Sequence, residues 1–89
     1  MTPSYTVIYL PQAEKFFKKS PSNISSHIFK SILSVAHHPF APNNNLKKLK
    51  DPFDGYRLRV GNYRAIYLLD TTTYRFIVTK IDHRSKIYE

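Results

Sequence analysis

Hydrophobic and polar residues follow two different periods along the chain, with one stretch that follows neither. From Ser4 to Leu10, the residues Tyr5, Val7 and Tyr9 recur at every second position among β-branched and aromatic neighbours, which is the period of a strand. Pro11 follows at a point where its fixed φ suits the first turn of a helix and its missing N–H is not needed. Ala13, Phe16 and Phe17 then mark the inner face of a short helix. Lys15, Lys18 and Lys19 lie outside it or near its end, and Ser20-Pro21 breaks it. A second helix is predicted from about Ser22 to His37, because Ile24, Ile28, Ile32 and Val35 recur at helical spacing, flanked by Phe29, Leu33 and Ala36. Pro39 ends it. Two helices joined by so tight a break should form an αα-hairpin on one face of a sheet.

From His38 to Asp54 no period is sustained. This stretch holds Pro39, Pro42, Pro52 and the run Asn43-Asn44-Asn45, and it reads as a loop carrying the basic segment Leu46-Lys47-Lys48-Leu49-Lys50. The alternation of a strand returns from Tyr56 to Val60. Gly61-Asn62 is a two-residue hairpin signal, and Tyr63 to Leu69 is the returning strand. Asp70 to Thr73 makes a further turn before a last strand from Tyr74 to Asp82. The predicted order is β-α-α-β-β-β, an α+β fold in which an N-terminal αα-hairpin packs on one face of an antiparallel sheet. The 89 residues are expected to form one domain, 1–89, without repeats or a linker.

The hairpin signal fixes more than a turn. With Gly61 and Asn62 at the turn, Val60 opposes Tyr63, Arg59 opposes Arg64 and Arg57 opposes Ile66. Arg57, Arg59 and Arg64 then share one face, while Tyr56, Leu58, Val60, Ala65, Tyr67 and Leu69 share the face that should meet the helices. Ile66 and Leu68 confine the cationic cluster to the half nearest the turn. Like charges directly opposite one another destabilise a hairpin, so this cluster calls for an anion. The nearby carboxylates, Asp51, Asp54 and Asp70, are all expected in loops. Phosphate is the anion that the pattern favours; the alternative is a solvated face with Arg–Asp pairs.

Composition narrows the classes. The chain is 42% hydrophobic, with Tyr 7 and Phe 6, which is enough for a packed core and argues against disorder. The lack of cysteine excludes a disulfide framework and thiolate zinc sites. No apolar run approaches membrane-spanning length. Met1 to Tyr5 carries no charged segment leading into a hydrophobic one, so a secretory signal is not expected and a cytoplasmic protein is. Lys and Arg number 14 against 6 Asp and Glu, giving +8, a field that favours polyanions. Every arginine (Arg57, Arg59, Arg64, Arg75, Arg84) falls in the second half, and its planar fork suits phosphate better than a lysine does.

The chain ends in Asp82-His83-Arg84-Ser85-Lys86-Ile87-Tyr88-Glu89. If the last strand lies beside the one before it, its end returns towards Arg59 or Arg64 and gathers His83, Arg84 and Tyr88 near the arginines. A base, several cations and an acid around a phosphate suffice for RNA self-cleavage, with no metal or cofactor required.

Asp54-Gly55-Tyr56-Arg57-Leu58-Arg59-Val60-Gly61-Asn62-Tyr63-Arg64-Ala65-Ile66-Tyr67, with Leu49-Lys50 before it and His83-Arg84 and Ile87-Tyr88 after it, resembles the pattern of the RelE/ParE toxin superfamily. The motif region covers about half the chain, and the two helices fit the same architecture. The resemblance implies a toxin of a type II toxin–antitoxin module that enters the ribosomal A site and cleaves mRNA without a metal. It implies that Arg57 and Arg59 bind and activate the substrate and that Arg64 holds the scissile phosphate. Arg84 would stabilise the transition state or act as acid, and Tyr88 would orient the base or assist proton transfer. Independently of the resemblance, Lys47, Lys48 and Lys50 of the basic segment are expected to contact RNA or the ribosome. The implied partners are an acidic cognate antitoxin, the ribosome and mRNA, with no membrane, and with operator DNA reached only through the antitoxin. Two departures stand out. Arginines occupy positions 57 and 59, where some members carry lysines, and an arginine is a poor general base because it stays protonated. Asp82 stands where glycine is frequent. His83 is therefore the candidate base, with Tyr88 behind it. The other readings are a ParE-like inhibitor of DNA gyrase that acts by protein binding, and an inactive relative serving as corepressor with its antitoxin.

Overall fold

A computed structural model describes residues 4–49 and 55–87. Strand β1 (Thr6–Tyr9) leads into helix α1 (Pro11–Lys19) and helix α2 (Ser22–His37). Strands β2 (Leu46–Lys48), β3 (Gly55–Val60), β4 (Tyr63–Asp70) and β5 (Arg75–His83) follow. Pro11 opens α1 as its spacing predicts, and Lys18 and Lys19 close it, where cations complement the helix dipole. Pro21 precedes α2, so the Ser20-Pro21 break separates the two helices.

The helices pack on a five-stranded sheet of order β1-β5-β4-β3-β2. Two features go beyond the predicted order. The stretch read as a loop contributes a short edge strand, β2, paired antiparallel to β3. And β1 pairs with β5 in parallel, so the sheet is mixed at that edge and antiparallel elsewhere. Both additions are non-local: within the β3-β4-β5 meander, β3 and β5 each keep one open edge, and β3 takes up β2 while β5 takes up β1 from the far end of the chain.

The predicted inner face is the core face. Leu58, Val60, Ala65 and Tyr67 are buried against Ala13, Ile28, Ile32, Val35 and Ala36 of the helices. Phe76, Val78 and Ile81 of β5 join them, and Tyr67 stacks on Phe76 with ring centroids 3.9 Å apart. Phe29 remains 44% exposed despite its place in the helical pattern, with its ring stacked on Tyr9. Among the described residues, no helix is long and apolar enough to cross a membrane.

Two turns hold the meander. Gly61 takes φ +59°, the left-handed conformation that a two-residue hairpin turn requires at its first central position. Between β4 and β5, Asp70 accepts hydrogen bonds from the N–H groups of Thr72 and Thr73 at 3.0 and 3.1 Å. Bonding to Thr73 first, and then the Thr72 N–H and Arg75, outweighs desolvation and holds the Asp70 carboxyl below its ordinary pKa.

The Tyr67 phenol is fully buried, and its hydroxyl has no partner among the described residues. Burial, with Tyr56 adding to it, pushes its pKa well above the ordinary phenol value. An unpaired buried hydroxyl costs about 1–3 kcal/mol, whereas its removal leaves the ring packing intact. Tyr67→Phe should therefore leave the urea unfolding free energy unchanged or raise it by about 1 kcal/mol. A loss larger than that would show that the hydroxyl makes a bond on which the core depends.

Candidate nucleic-acid interface

The β3–β4 register places cations against cations. Arg59 pairs directly with Arg64, and Arg57 pairs with Ile66 on the same face. Each of the two opposed guanidinium groups is steadied by a nearby neutral oxygen. Arg59 donates from Nε and Nη2 to Oδ1 of Asn45, at 3.2 and 2.9 Å. Its backbone N–H donates to the Asn45 carbonyl at 2.8 Å, and the Asn45 N–H donates to Oδ1 of Asn43 at 2.8 Å. Arg64 donates from Nη1 to the carbonyls of Gly61 and Tyr63, at 3.0 and 2.9 Å. These oxygens orient the side chains without cancelling their charge. Desolvation, followed by the fields of Arg57, Arg59 and Arg84, lowers the Arg64 pKa from its ordinary value, the direction expected of a cation held among cations.

Two adjoining concavities open on this group. One, of about 270 Å³, is lined by Asn44, Asn45, Leu46, Lys47, Arg57, Arg59 and Arg64. The other, of about 560 Å³, brings Arg59, Arg64 and Arg84 together with Asn45, Asn62 and the side of α2 that carries His27 and Ser31. Arg84 reaches it because its backbone N–H donates to the Asn62 carbonyl at 2.8 Å, tying the end of β5 to the hairpin turn. Among the described residues, no three His, Asp or Glu side chains group as a metal site.

The structure therefore brings together Arg57, Arg59, Arg64 and Arg84, with Lys47 beside them. Lys47 pairs with Arg57 and shares its face, whereas Lys48 pairs with Tyr56 and points to the opposite side of the sheet. Lys50 and Tyr88 lie outside the described residues, as do Asp51 and Asp54.

His83 does not join the arginines. It pairs with Tyr63, so the two share the helix-facing side, and their rings meet edge to face with centroids 5.6 Å apart. Its Nδ1 lies 2.9 Å from Oγ of Ser85 and accepts the Ser85 N–H at 3.2 Å. The cause is a bulge in β5. Tyr67 pairs with Val78 but Ile66 pairs with Lys80, leaving Thr79 as an extra residue whose hydroxyl donates to the Ile66 carbonyl at 3.2 Å. One extra residue reverses every side chain beyond it. An uninterrupted ladder would have put His83 on the face of Arg64; the bulge puts Asp82 there, and its Oδ1 accepts the His83 N–H at 2.8 Å.

Sequence reasoning missed Asn45, His27 and Ser31. His27 and Ser31 are one helical turn apart on the polar side of α2, which the pattern shows, but their approach to the hairpin turn is a tertiary fact. The bulge left a trace in the sequence: Val78 and Ile81 are both apolar with Thr79-Lys80 between them, a break in the two-residue alternation.

A family model described as ParE toxin of type II toxin-antitoxin system, parDE, matches residues 7–88. The fold is similar to that in the archaeal RelE-RelB complex from Pyrococcus horikoshii, at 22% identity and a TM-score of 0.78, covering 96% of this chain and 100% of that one. It is similar to the toxin-antitoxin complex RelBE2 from Mycobacterium tuberculosis, at 23% identity and a TM-score of 0.76, covering 92% of this chain and 100% of that one. The RelB-RelE antitoxin-toxin complex from Methanococcus jannaschii matches at 29% identity and a TM-score of 0.68, covering 91% of this chain and 94% of that one. No curated protein sequence matches the chain.

The register separates the two lysines in a way that binding can read. Each phosphate contact on a single strand contributes about 0.7 to the slope of log affinity against log salt. Lys47→Ala should lower that slope by about 0.7 for a short single-stranded RNA followed by fluorescence anisotropy, and Lys48→Ala should change it less. Equal slopes for the two variants would mean that the arginine face is not where the strand lies.

Proposed function

The chain belongs to the ParE toxin family of type II toxin–antitoxin systems, within the RelE/ParE superfamily, and from that premise we propose that it is a ribosome-dependent endoribonuclease that cleaves mRNA in the A site and halts translation. The observation that carries this reading is the convergence of Arg59, Arg64 and Arg84 on one concavity, with Arg57 and Lys47 on the adjoining one. A surface meant only for protein contact gains little from placing guanidinium groups directly opposite one another. A phosphodiester passing to a phosphorane gains charge in the transition state, and cations already fixed in place stabilise that charge without reorganising.

The roles follow from position. Arg57, Arg59 and Lys47 hold phosphates along the strand, and Arg64 and Arg84 bracket the scissile one. The chemistry is attack of the 2′-oxygen on phosphorus with loss of the 5′-oxygen, leaving a 2′,3′-cyclic phosphate. Tyr88 is assigned to assist proton transfer from the C-terminal segment. The protein's charge of +8 and the relatives solved with RelB-type partners support an acidic antitoxin, partly disordered when free, that wraps the domain. The second reading is inhibition of DNA gyrase by protein binding, and the ParE description of the matching family favours it.

Arg64→Ala and Arg84→Ala should each slow single-turnover cleavage on programmed ribosomes by roughly 100- to 1,000-fold, with a smaller effect on ribosome affinity. A 2′-deoxy residue at the cut site should block cleavage. Full activity in Arg84→Ala would sink the nuclease assignment, and intact mRNA together with blocked gyrase supercoiling would establish the second reading. The acidic protein encoded beside this chain should form a complex that survives high salt and relieves growth inhibition on coexpression. Undiminished toxicity in the presence of that neighbour would refute the pairing.

A further inference from the structure

The proposed cleavage needs a proton acceptor, and the arginines cannot supply one because they stay protonated. His83 lies on the other side of the sheet, with its ring against Tyr63 and its Nδ1 engaged by Ser85. His27 is placed differently. It projects from α2 into the concavity of about 560 Å³ that also contains Arg59, Arg64 and Arg84. It also borders the main chain of the turn at Gly61 and Asn62 and, on its other side, the recess beside Asn45 and Leu58. The side chain is exposed, and among the described residues its ring has no hydrogen-bond partner. Ser31 shares the wall but turns its hydroxyl back to the His27 carbonyl at 2.9 Å, leaving the imidazole to whatever occupies the concavity.

We infer that His27 is the general base of this toxin, an inference that rests on the nuclease reading above. The charged groups around it are Arg59 from β3, Arg64 from β4, Arg84 beyond β5 and Lys30 on its own helix. Among the described residues that line this concavity, His27 is the imidazole, the side-chain type suited to general-base work. With the scissile phosphate among the arginines, a ring nitrogen of His27 takes the proton of the 2′-hydroxyl as the bond from the 2′-oxygen to phosphorus forms. The bond from phosphorus to the 5′-oxygen breaks, and that oxygen takes a proton from water. The hydroxide so formed takes the proton from the imidazolium, so the transesterification consumes and releases no net proton. A helix rather than a strand thereby supplies the base, and α2 becomes part of the site instead of only its support.

The test is single-turnover cleavage of mRNA on programmed ribosomes by the wild type, His27→Ala and His27→Gln, each with and without added imidazole. Loss of a positioned base typically costs 100- to 10,000-fold. Both variants should slow cleavage by about 100-fold or more while binding ribosomes within a few-fold of the wild type. Imidazole should restore part of the His27→Ala rate, by filling the space left, and should do less for His27→Gln. A His27→Ala enzyme that cuts at the wild-type rate would overturn the inference and leave the nuclease reading standing. A loss confined to ribosome affinity, or a loss of rate that imidazole does not touch, would overturn it as well. If the wild type itself leaves ribosome-bound mRNA intact, the nuclease reading fails first and takes this assignment with it.

Discussion

The arrangement depends on a two-residue turn. Gly61, at φ +59°, and Asn62 close the β3–β4 hairpin so that Arg59 must face Arg64 and Leu58 must face Ala65. Side chains alternate with a period of two, so a slip of one residue would carry the arginines into the core and Leu58, Val60, Ala65 and Tyr67 into water. Core and site therefore specify each other. The burial of four apolar side chains pins the register, and the same register concentrates charge on the far side.

That concentration is unfavourable by itself, and among the described residues oriented dipoles hold Arg59 and Arg64 in place. The Asn45 amide takes Arg59, and the turn carbonyls take Arg64. A carboxylate would stabilise the free protein more, but it would compete with a phosphate for the same N–H donors. Amide and carbonyl oxygens fix the geometry and leave the positive potential available. Desolvation first, and then the fields of Arg57, Arg59 and Arg84, lower the basicity of Arg64, and an anion beside it would offset the part that comes from those neighbours.

How much of this is legible in the sequence varies with how local the cause is. The hairpin register, both helices and the inner face follow from a turn signal and from periodicity, which are written in adjacent residues. Strand β2 does not, because Leu46-Lys47-Lys48 between asparagines and a proline has no strand pattern of its own and gains its order from β3. The parallel pairing of β1 with β5 is equally hidden, since it joins the two ends of the chain. His83 is the instructive case. Its position in the sequence, next to Arg84, suggests the arginine face. A single extra residue at Thr79 reverses that, and only the interrupted alternation from Val78 to Ile81 hints at it.

The same turn also gathers what the sequence keeps apart. The Asn62 carbonyl anchors Arg84 from the end of β5, the Gly61 carbonyl holds Arg64, and His27 of α2 borders both residues. Asn45, bonded to Arg59, fastens the approach to β2 from the opposite edge. Segments distant in the chain thus meet within one end of the sheet, with Arg84, Arg64 and Arg59 attached through backbone carbonyls or a single amide and α2 lining the same concavity. Backbone attachment constrains position without dictating side-chain identity. The side chains at such an end can therefore change while the hairpin beneath them stays the same. The side chains that fix the register, Leu58, Val60, Ala65 and Tyr67, lie on the other face of the hairpin.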